Sequence, residues 1–200
     1  MTTEMTDDLS TLGLECSEDW VPFPLSGTLD LDYWAKYQAK DLVERYERDG
    51  EKGNARLLAR DLKRTAADCR TRDPLGAFGW YVSGHPSVAA VLELDAVRPD
   101  DTHPEVTLSL LTESMSARDF GEPDVRGMRL PLGDAVRIRQ NMVDDRKRLL
   151  GPRPVVRTLF YGVRPETTDA AVTLLVSWTE PVLDEPLEAI VDGIARTLSL

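Results

Sequence analysis

Residues 170–178 read AAVTLLVSW and carry the clearest strand pattern in the sequence. Val172, Leu174 and Val176 alternate with other side chains at the two-residue period of a strand that has one covered face. Six further runs share this period and are separated by clusters of Gly, Pro and Asp. These predicted strands are residues 75–83, 88–97, 106–114, 127–130, 135–140 and 155–163. Because short connections make successive strands antiparallel neighbours, we expect an antiparallel sheet of about six strands.

Helical periodicity precedes and follows the strands. Residues 30–49 place apolar side chains at every third or fourth position, with an Asp at the start and Gly50 at the end. Residues 52–70 have the same spacing, and their remaining positions are rich in Arg and Lys. A last predicted helix has the apolar stripe Leu187, Ile190, Val191, Ile194 and Leu198. The sequence therefore predicts an α+β fold, in which N-terminal helices and a C-terminal helix cover the sheet.

The N-terminal stretch differs from the rest of the chain. Residues 1–18 are polar, acidic and non-periodic, which predicts a flexible tail. Residues 19–200 are predicted to form a single α+β domain, with its helical part at 30–72 and its sheet and terminal helix at 75–200. The two prolines of residues 20–25 exclude a helix there and favour an extended segment laid over the core.

The net charge of −11 is unevenly distributed along the chain. Eight acidic residues and no basic ones precede Lys36, whereas residues 36–72 hold eleven basic and seven acidic residues. An acidic chain is repelled by phosphate, so we do not expect nucleic acid as a direct partner. The negative electrostatic field of such a chain attracts basic proteins and so favours a basic protein partner. The alternative is that the acidity only keeps the protein soluble.

The chain shows no secretory signal and no apolar run of the ~18 residues that a membrane span requires. We therefore expect a cytoplasmic protein without a membrane span. Its two cysteines, Cys16 and Cys69, lie far apart and have no CxxC pattern or neighbouring His, so no metal or redox site is predicted. Cys69 falls on the apolar face of the second helix, where a small buried side chain is expected.

Four stretches of the C-terminal half resemble a known group of proteins. They are LPLGDAVR at 130–137, YGV at 161–163, WTEP at 178–181 and IVDGIARTL at 190–198. Together they resemble actinobacterial members of the PsbP/Mog-like group, which are α/β sandwiches built on an antiparallel sheet. The resemblance covers residues 127–200 and extends to 75–126 through strand order. Members bind a photosystem or a small GTPase, or assist envelope or secretion systems, so the resemblance implies protein binding and transfers no functional residue.

No catalytic, cofactor or metal site is predicted from the motifs. The two histidines, His85 and His103, are not accompanied by a GxSxG elbow, and the phosphate-loop patterns are absent. His85 lies in a predicted turn, where Gly and Pro neighbours serve the backbone. An acidic cluster at 95–105 lacks the spacing of a calcium loop, and the mixed charges at 144–148 favour an exposed loop.

A partner-binding surface is predicted in the N-terminal third, where the charge contrast is strongest and aromatic residues are crowded. Its candidate residues are Glu15, Glu18, Asp19, Trp20, Tyr33, Tyr37, Arg56, Arg60, Lys63 and Arg64. For the aromatic members the alternative is that they pack the segment 20–25 onto the sheet.

These observations predict a non-catalytic protein-binding domain, such as an immunity protein, a secretion chaperone or an adaptor. One alternative is a structural subunit of a larger protein assembly, and another is a hydrolase with an unrecognised site. Whether the chain associates with itself is left open by the sequence.

Overall fold

The computed structural model describes residue 9 and residues 11–143 and 155–200. Its helices are α1 (Leu31–Arg48), α2 (Ala55–Arg70), α3 (Leu108–Met115) and α4 (Asp184–Ala195). Its strands are β1 (Trp20–Pro22), β2 (Gly76–Trp80), β3 (Ala90–Val97), β4 (Asp124–Leu130), β5 (Gly133–Val143), β6 (Val155–Pro165) and β7 (Ala171–Trp178). None of the helices in these described ranges combines the length and hydropathy that crossing a membrane demands. The charged loop predicted at 144–148 lies outside the described residues.

The seven strands follow the order β1-β2-β3-β7-β6-β5-β4 in an antiparallel sheet. The predicted α+β class is thus confirmed, with slightly more strands than expected. The chain forms two compact units, which are Cys16–Leu94 and Met1–Glu15 together with Asp95–Leu200. The predicted division into a tail of residues 1–18 and one domain of residues 19–200 stays a prediction.

In the unit Cys16–Leu94, α1 and α2 form an antiparallel helical pair. Asp30 caps α1 by accepting a hydrogen bond from the backbone N–H of Asp32 at 2.8 Å, as expected for an Asp at this position. Asn54 caps α2 in the same way, so this helix starts later than the predicted residue 52. Their facing sides supply the core, which contains Ala39, Leu42 and Tyr46 from α1 and Leu58, Leu62, Ala66 and Cys69 from α2.

In the other unit, both faces of strand β5 are covered by helices. Val136 and Ile138 pack in a core cluster with Leu111 of α3, whereas Arg137 forms ion pairs with residues of α4. Because successive side chains of a strand point to opposite faces, α3 and α4 cover opposite faces of this part of the sheet.

The strand predicted at 106–114 is wrong, because Leu108–Met115 form helix α3. The side chain of Thr107 caps the helix by accepting a hydrogen bond from the backbone N–H of Leu110 at 3.1 Å. Leu108, Leu111 and Met115, which recur at helical spacing, then face the same apolar cluster. The segment is a helix because this spacing buries Leu111 and packs the partly buried Leu108 and Met115 against the same sheet face.

Helix α4 covers the other face of the sheet. Its buried apolar stripe is rotated slightly around the helix axis from the predicted stripe. Leu187, Val191 and Ile194 are buried as expected, but Ile190 is 36% exposed. The buried stripe continues through Ala195, so position 190 lies at its edge. Beyond the helix, Ser199 pairs with Gly13 through two backbone hydrogen bonds of 3.0 and 3.1 Å.

Candidate partner-binding groove

A groove of about 530 Å³ lies between α1 and α2. It is lined by Asp32, Ala35, Lys36, Ala55, Arg56, Ala59, Arg60 and Lys63. The three alanines end at Cβ and leave the space that the longer charged side chains border. The groove therefore combines a small apolar surface with four cationic side chains and one carboxylate.

The cations on the α2 side follow the helix repeat. Arg56, Arg60 and Lys63 stand four and three residues apart, so they share one exposed face of the helix. Within the described part of the chain, the guanidinium groups of Arg56 and Arg60 have no hydrogen-bond or ion-pair partner. Like charges at this spacing repel each other weakly, so this arrangement does not stabilise the helix.

Asp32 supplies the carboxylate of the groove. Its Oδ2 accepts a hydrogen bond from Nζ of Lys63 at 2.8 Å. This hydrogen bond, together with the charges of Lys63 and Lys36, lowers the pKa of Asp32. Both partners of the ion pair are substantially exposed, so the pair is open to competition from another anion.

Two exposed aromatic residues lie on α1 outside the groove lining. Tyr33 and Tyr37 are 70% and 57% exposed, and their spacing of four places them on one side of the helix. Lys36 lies between them in sequence and lines the groove. Each tyrosine follows a groove residue, Asp32 or Lys36, by one position, which turns it ~100° around the helix axis, so neither tyrosine lines the groove.

Trp20, also predicted at the partner surface, belongs to the core. It is only 3% exposed, and its ring stacks on that of Trp80 with the centroids 6.1 Å apart. Phe23 meets Trp34 edge to face, so these aromatics attach the β1 region to α1. The structure therefore agrees with the alternative in which Trp20 packs in the core, and not with its predicted place on a partner-binding surface.

Arg64 and the predicted acidic residues have other surroundings. Arg64 pairs with the buried Asp61 at 2.5 Å, and Asp61 also accepts a hydrogen bond from the backbone of Val88. Asp19 lies 3.6 Å from the buried Arg45, which also donates a hydrogen bond to the backbone oxygen of Glu18. None of these side chains lines the groove.

Glu15 belongs to the other unit, where its backbone N–H donates a hydrogen bond to Oγ1 of Thr197 at 2.9 Å. The structure therefore brings together Arg56, Arg60 and Lys63 from the predicted set, whereas Tyr33 and Tyr37 are exposed on α1 outside the groove lining.

A network of charged side chains lies beneath α4 and was not predicted from the sequence. Arg137 is 7% exposed and pairs with Glu188 at 2.7 Å and with Asp192 at 3.1 Å. Tyr161 donates a hydrogen bond to Asp192 and accepts one from Arg137, and burial is the main cause of its raised pKa. This part of the network holds α4 to the sheet.

The network continues along the helix through Asp184. This carboxylate pairs with Arg139 at 2.8 Å and with Arg157 at 3.0 Å. It also accepts a hydrogen bond from the indole of Trp178 at 2.7 Å. The sequence does contain a pattern that indicates this network: Asp184, Glu188 and Asp192 are spaced by four residues, which places them on one helix face.

The histidines and cysteines occupy ordinary structural positions. His85 is exposed in a turn, where its backbone oxygen accepts a hydrogen bond from Tyr46. Asp100 accepts hydrogen bonds from the backbone of Thr102 and His103, which makes a local turn. Burial raises the pKa of Cys16 to about 11 and that of Cys69 to about 12. Across the described residues, no cluster of three or more potential metal ligands occurs.

Comparison with known proteins adds no assignment. No protein-family model matches the chain, and no curated protein matches it either. The resemblance to the PsbP/Mog-like group therefore stays a prediction.

Proposed function

We propose that the protein is a non-catalytic binding domain whose partner is another protein, recognised through the α1/α2 groove and the exposed Tyr33 and Tyr37 of α1. The observation that carries this proposal is the row of exposed arginines, Arg56 and Arg60, which have no partner among the described residues and lie beside an alanine-lined groove. Exposed charges of this kind contribute little to folding, whereas across an interface they steer association and select partners.

The chemistry of the surface supports the same proposal. Tyr and Arg are enriched among the residues that dominate protein interfaces, because they combine large contact areas with polar groups. Tyr33 and Tyr37 offer such rings without a role in the core. Arg56 and Arg60 offer planar donor groups that suit carboxylates.

Several biological roles fit a surface of this kind. An immunity protein, a secretion chaperone and an adaptor would all use it to bind one partner, whereas a structural subunit would assemble through it. The net charge of −11 favours a basic partner overall, while the groove itself favours an acidic contact. A partner that has a basic region and a separate acidic segment would satisfy both charge preferences.

The test is affinity purification from the native host after chemical cross-linking. The wild-type chain is compared with Arg56→Gln/Arg60→Gln and with the control Arg118→Gln/Arg196→Gln, which removes two exposed arginines from the other unit. We expect a protein that is retained by the wild type and the control and lost from the groove variant. Equal retention of all partners by the three chains would contradict the proposal.

A further inference from the structure

We infer that the α1/α2 groove binds an acidic protein segment, one carboxylate of which takes the place of Asp32 on Lys63. This inference rests on the proposed function and specifies the chemistry of the partner. Four cationic side chains line the groove against the single carboxylate of Asp32, which leaves a local net charge of +3 in a chain whose total is −11.

The spacing of the cations sets the shape of the ligand. At a rise of ~1.5 Å per residue, Arg56 and Lys63 lie about 10 Å apart along the axis of α2. An extended peptide covers this distance in about three residues. A short segment with acidic residues at alternate positions can therefore reach both ends of the cationic row, and its intervening side chains can meet the alanines.

Asp32 already occupies one of the positions that a ligand carboxylate would take. Its oxygen is 2.8 Å from Nζ of Lys63, which is the geometry of a charge-assisted hydrogen bond. Because Asp32 is largely exposed, water can solvate its carboxylate after displacement, and the exchange costs little. Asp32 thus acts as an internal competitor that lowers affinity for acidic ligands.

A protein segment suits this groove better than nucleic acid does. Nucleic-acid binding relies on an extended basic track along the phosphate backbone, whereas these cations surround one short groove. The overall charge of −11 opposes the approach of a long polyanion. The alanine surface also offers contacts to apolar side chains, which a sugar-phosphate backbone lacks.

The test measures fluorescence anisotropy with a short, dye-labelled peptide of alternating Glu and Ala that has blocked ends. A peptide with Gln in place of Glu is the control for charge, and a short oligothymidylate is the control for phosphate. The proteins are the wild type, Asp32→Asn, Arg56→Gln/Arg60→Gln and the matched control Arg118→Gln/Arg196→Gln. Circular dichroism checks that each variant is folded, and Asp30 rather than Asp32 caps α1, so its cap is retained in Asp32→Asn.

We expect the wild type to prefer the Glu peptide to the Gln peptide, with binding that weakens as salt is added. Asp32→Asn should bind the Glu peptide about threefold more tightly, and Arg56→Gln/Arg60→Gln about tenfold more weakly. The control variant should bind it as the wild type does. Tighter binding of oligothymidylate than of the Glu peptide would overturn the choice of ligand, and unchanged or weaker binding by Asp32→Asn would overturn the competitor role.

The peptide-binding test and the partner-purification test can fail independently of each other. If a cellular partner depends on Arg56 and Arg60 but neither the wild type nor Asp32→Asn binds the Glu peptide, the acidic-segment inference fails and the groove remains an interface. If the Glu peptide binds as expected while no protein partner depends on these arginines, the inference about ligand chemistry holds and the proposed cellular function fails.

Discussion

Arginines play opposite parts in the two units of this protein. Beneath α4, Arg137 is almost fully buried and pairs with two carboxylates and a tyrosine. On α2, Arg56 and Arg60 are exposed and have no partner among the described residues. Residue type alone therefore does not reveal the role of a charge, because burial and pairing separate a structural arginine from one available for binding.

The physical reason is the cost of removing a charge from water. A buried charge is tolerated only when counter-charges and hydrogen bonds replace its hydration, so the Arg137 network must be nearly complete. An exposed arginine keeps its hydration and needs no partner. The network beneath α4 is therefore expected to be sensitive to substitution, and the α2 row tolerant of it.

The largest expected effect comes from a charge without a partner beneath α4. Ile194→Asp should lower the free energy of unfolding by about 4 kcal/mol or more, because it would bring a carboxylate to a position where the apolar side chain is only 5% exposed. Ile190→Asp is the matched control on the same helix, and its half-exposed position should limit the loss to about 1 kcal/mol. Urea denaturation followed by circular dichroism measures both, and similar losses would show that the two positions are equally buried.

Removal of a paired charge should have the next largest effect. Arg137→Met should lower the free energy of unfolding by about 2 to 4 kcal/mol, because Glu188 and Asp192 lose their shared partner. Arg126→Met is the control, since Arg126 pairs with Asp124 on an exposed strand and should contribute less than ~1 kcal/mol. Equal stability of Arg137→Met and the wild type in urea would mean that packing alone holds α4 in place.

The smallest effect is expected on α2. Arg56→Gln/Arg60→Gln should change the free energy of unfolding by no more than about 0.5 kcal/mol, with a slight gain where like-charge repulsion is relieved. Thermal unfolding at low salt would show this difference best, because salt screens the repulsion. A loss above about 1 kcal/mol would indicate that these arginines stabilise the helical pair, and it would weaken the case for their role in binding.

Much of the fold could be predicted from local patterns. The cap of α1, the apolar spacing of α1 and α2, and the alternation of β5, β6 and β7 are local properties of the chain, whereas the Asn54 cap of α2 was not predicted. The segment that forms α3 was predicted as a strand because eight residues give too short a sample to separate the two periods. Only its apolar partners on the sheet, which come from distant parts of the chain, decide between them.

The alternation of Val136 and Ile138 with Arg137 and Arg139 shows the limit of such patterns. It predicts one covered and one exposed face, but the polar face is covered by a helix that carries matching acids. The same limit applies to the groove. Its α2 side was visible as a basic helix face, whereas the contribution of α1 depends on how the two helices pair.

The raised pKa values of the partly buried Cys16 and the buried Cys69 bear directly on chemical labelling of the protein. With a pKa of about 11 for Cys16 and about 12 for Cys69, only on the order of one in ten thousand Cys16 side chains, and fewer of Cys69, are thiolates at neutral pH. The thiolate is the form that maleimides and disulfide reagents attack. A cysteine introduced at Ala55, which lines the groove and is exposed in the first turn of α2, would therefore react well before either native one. A fluorophore could be attached there without first removing the native cysteines.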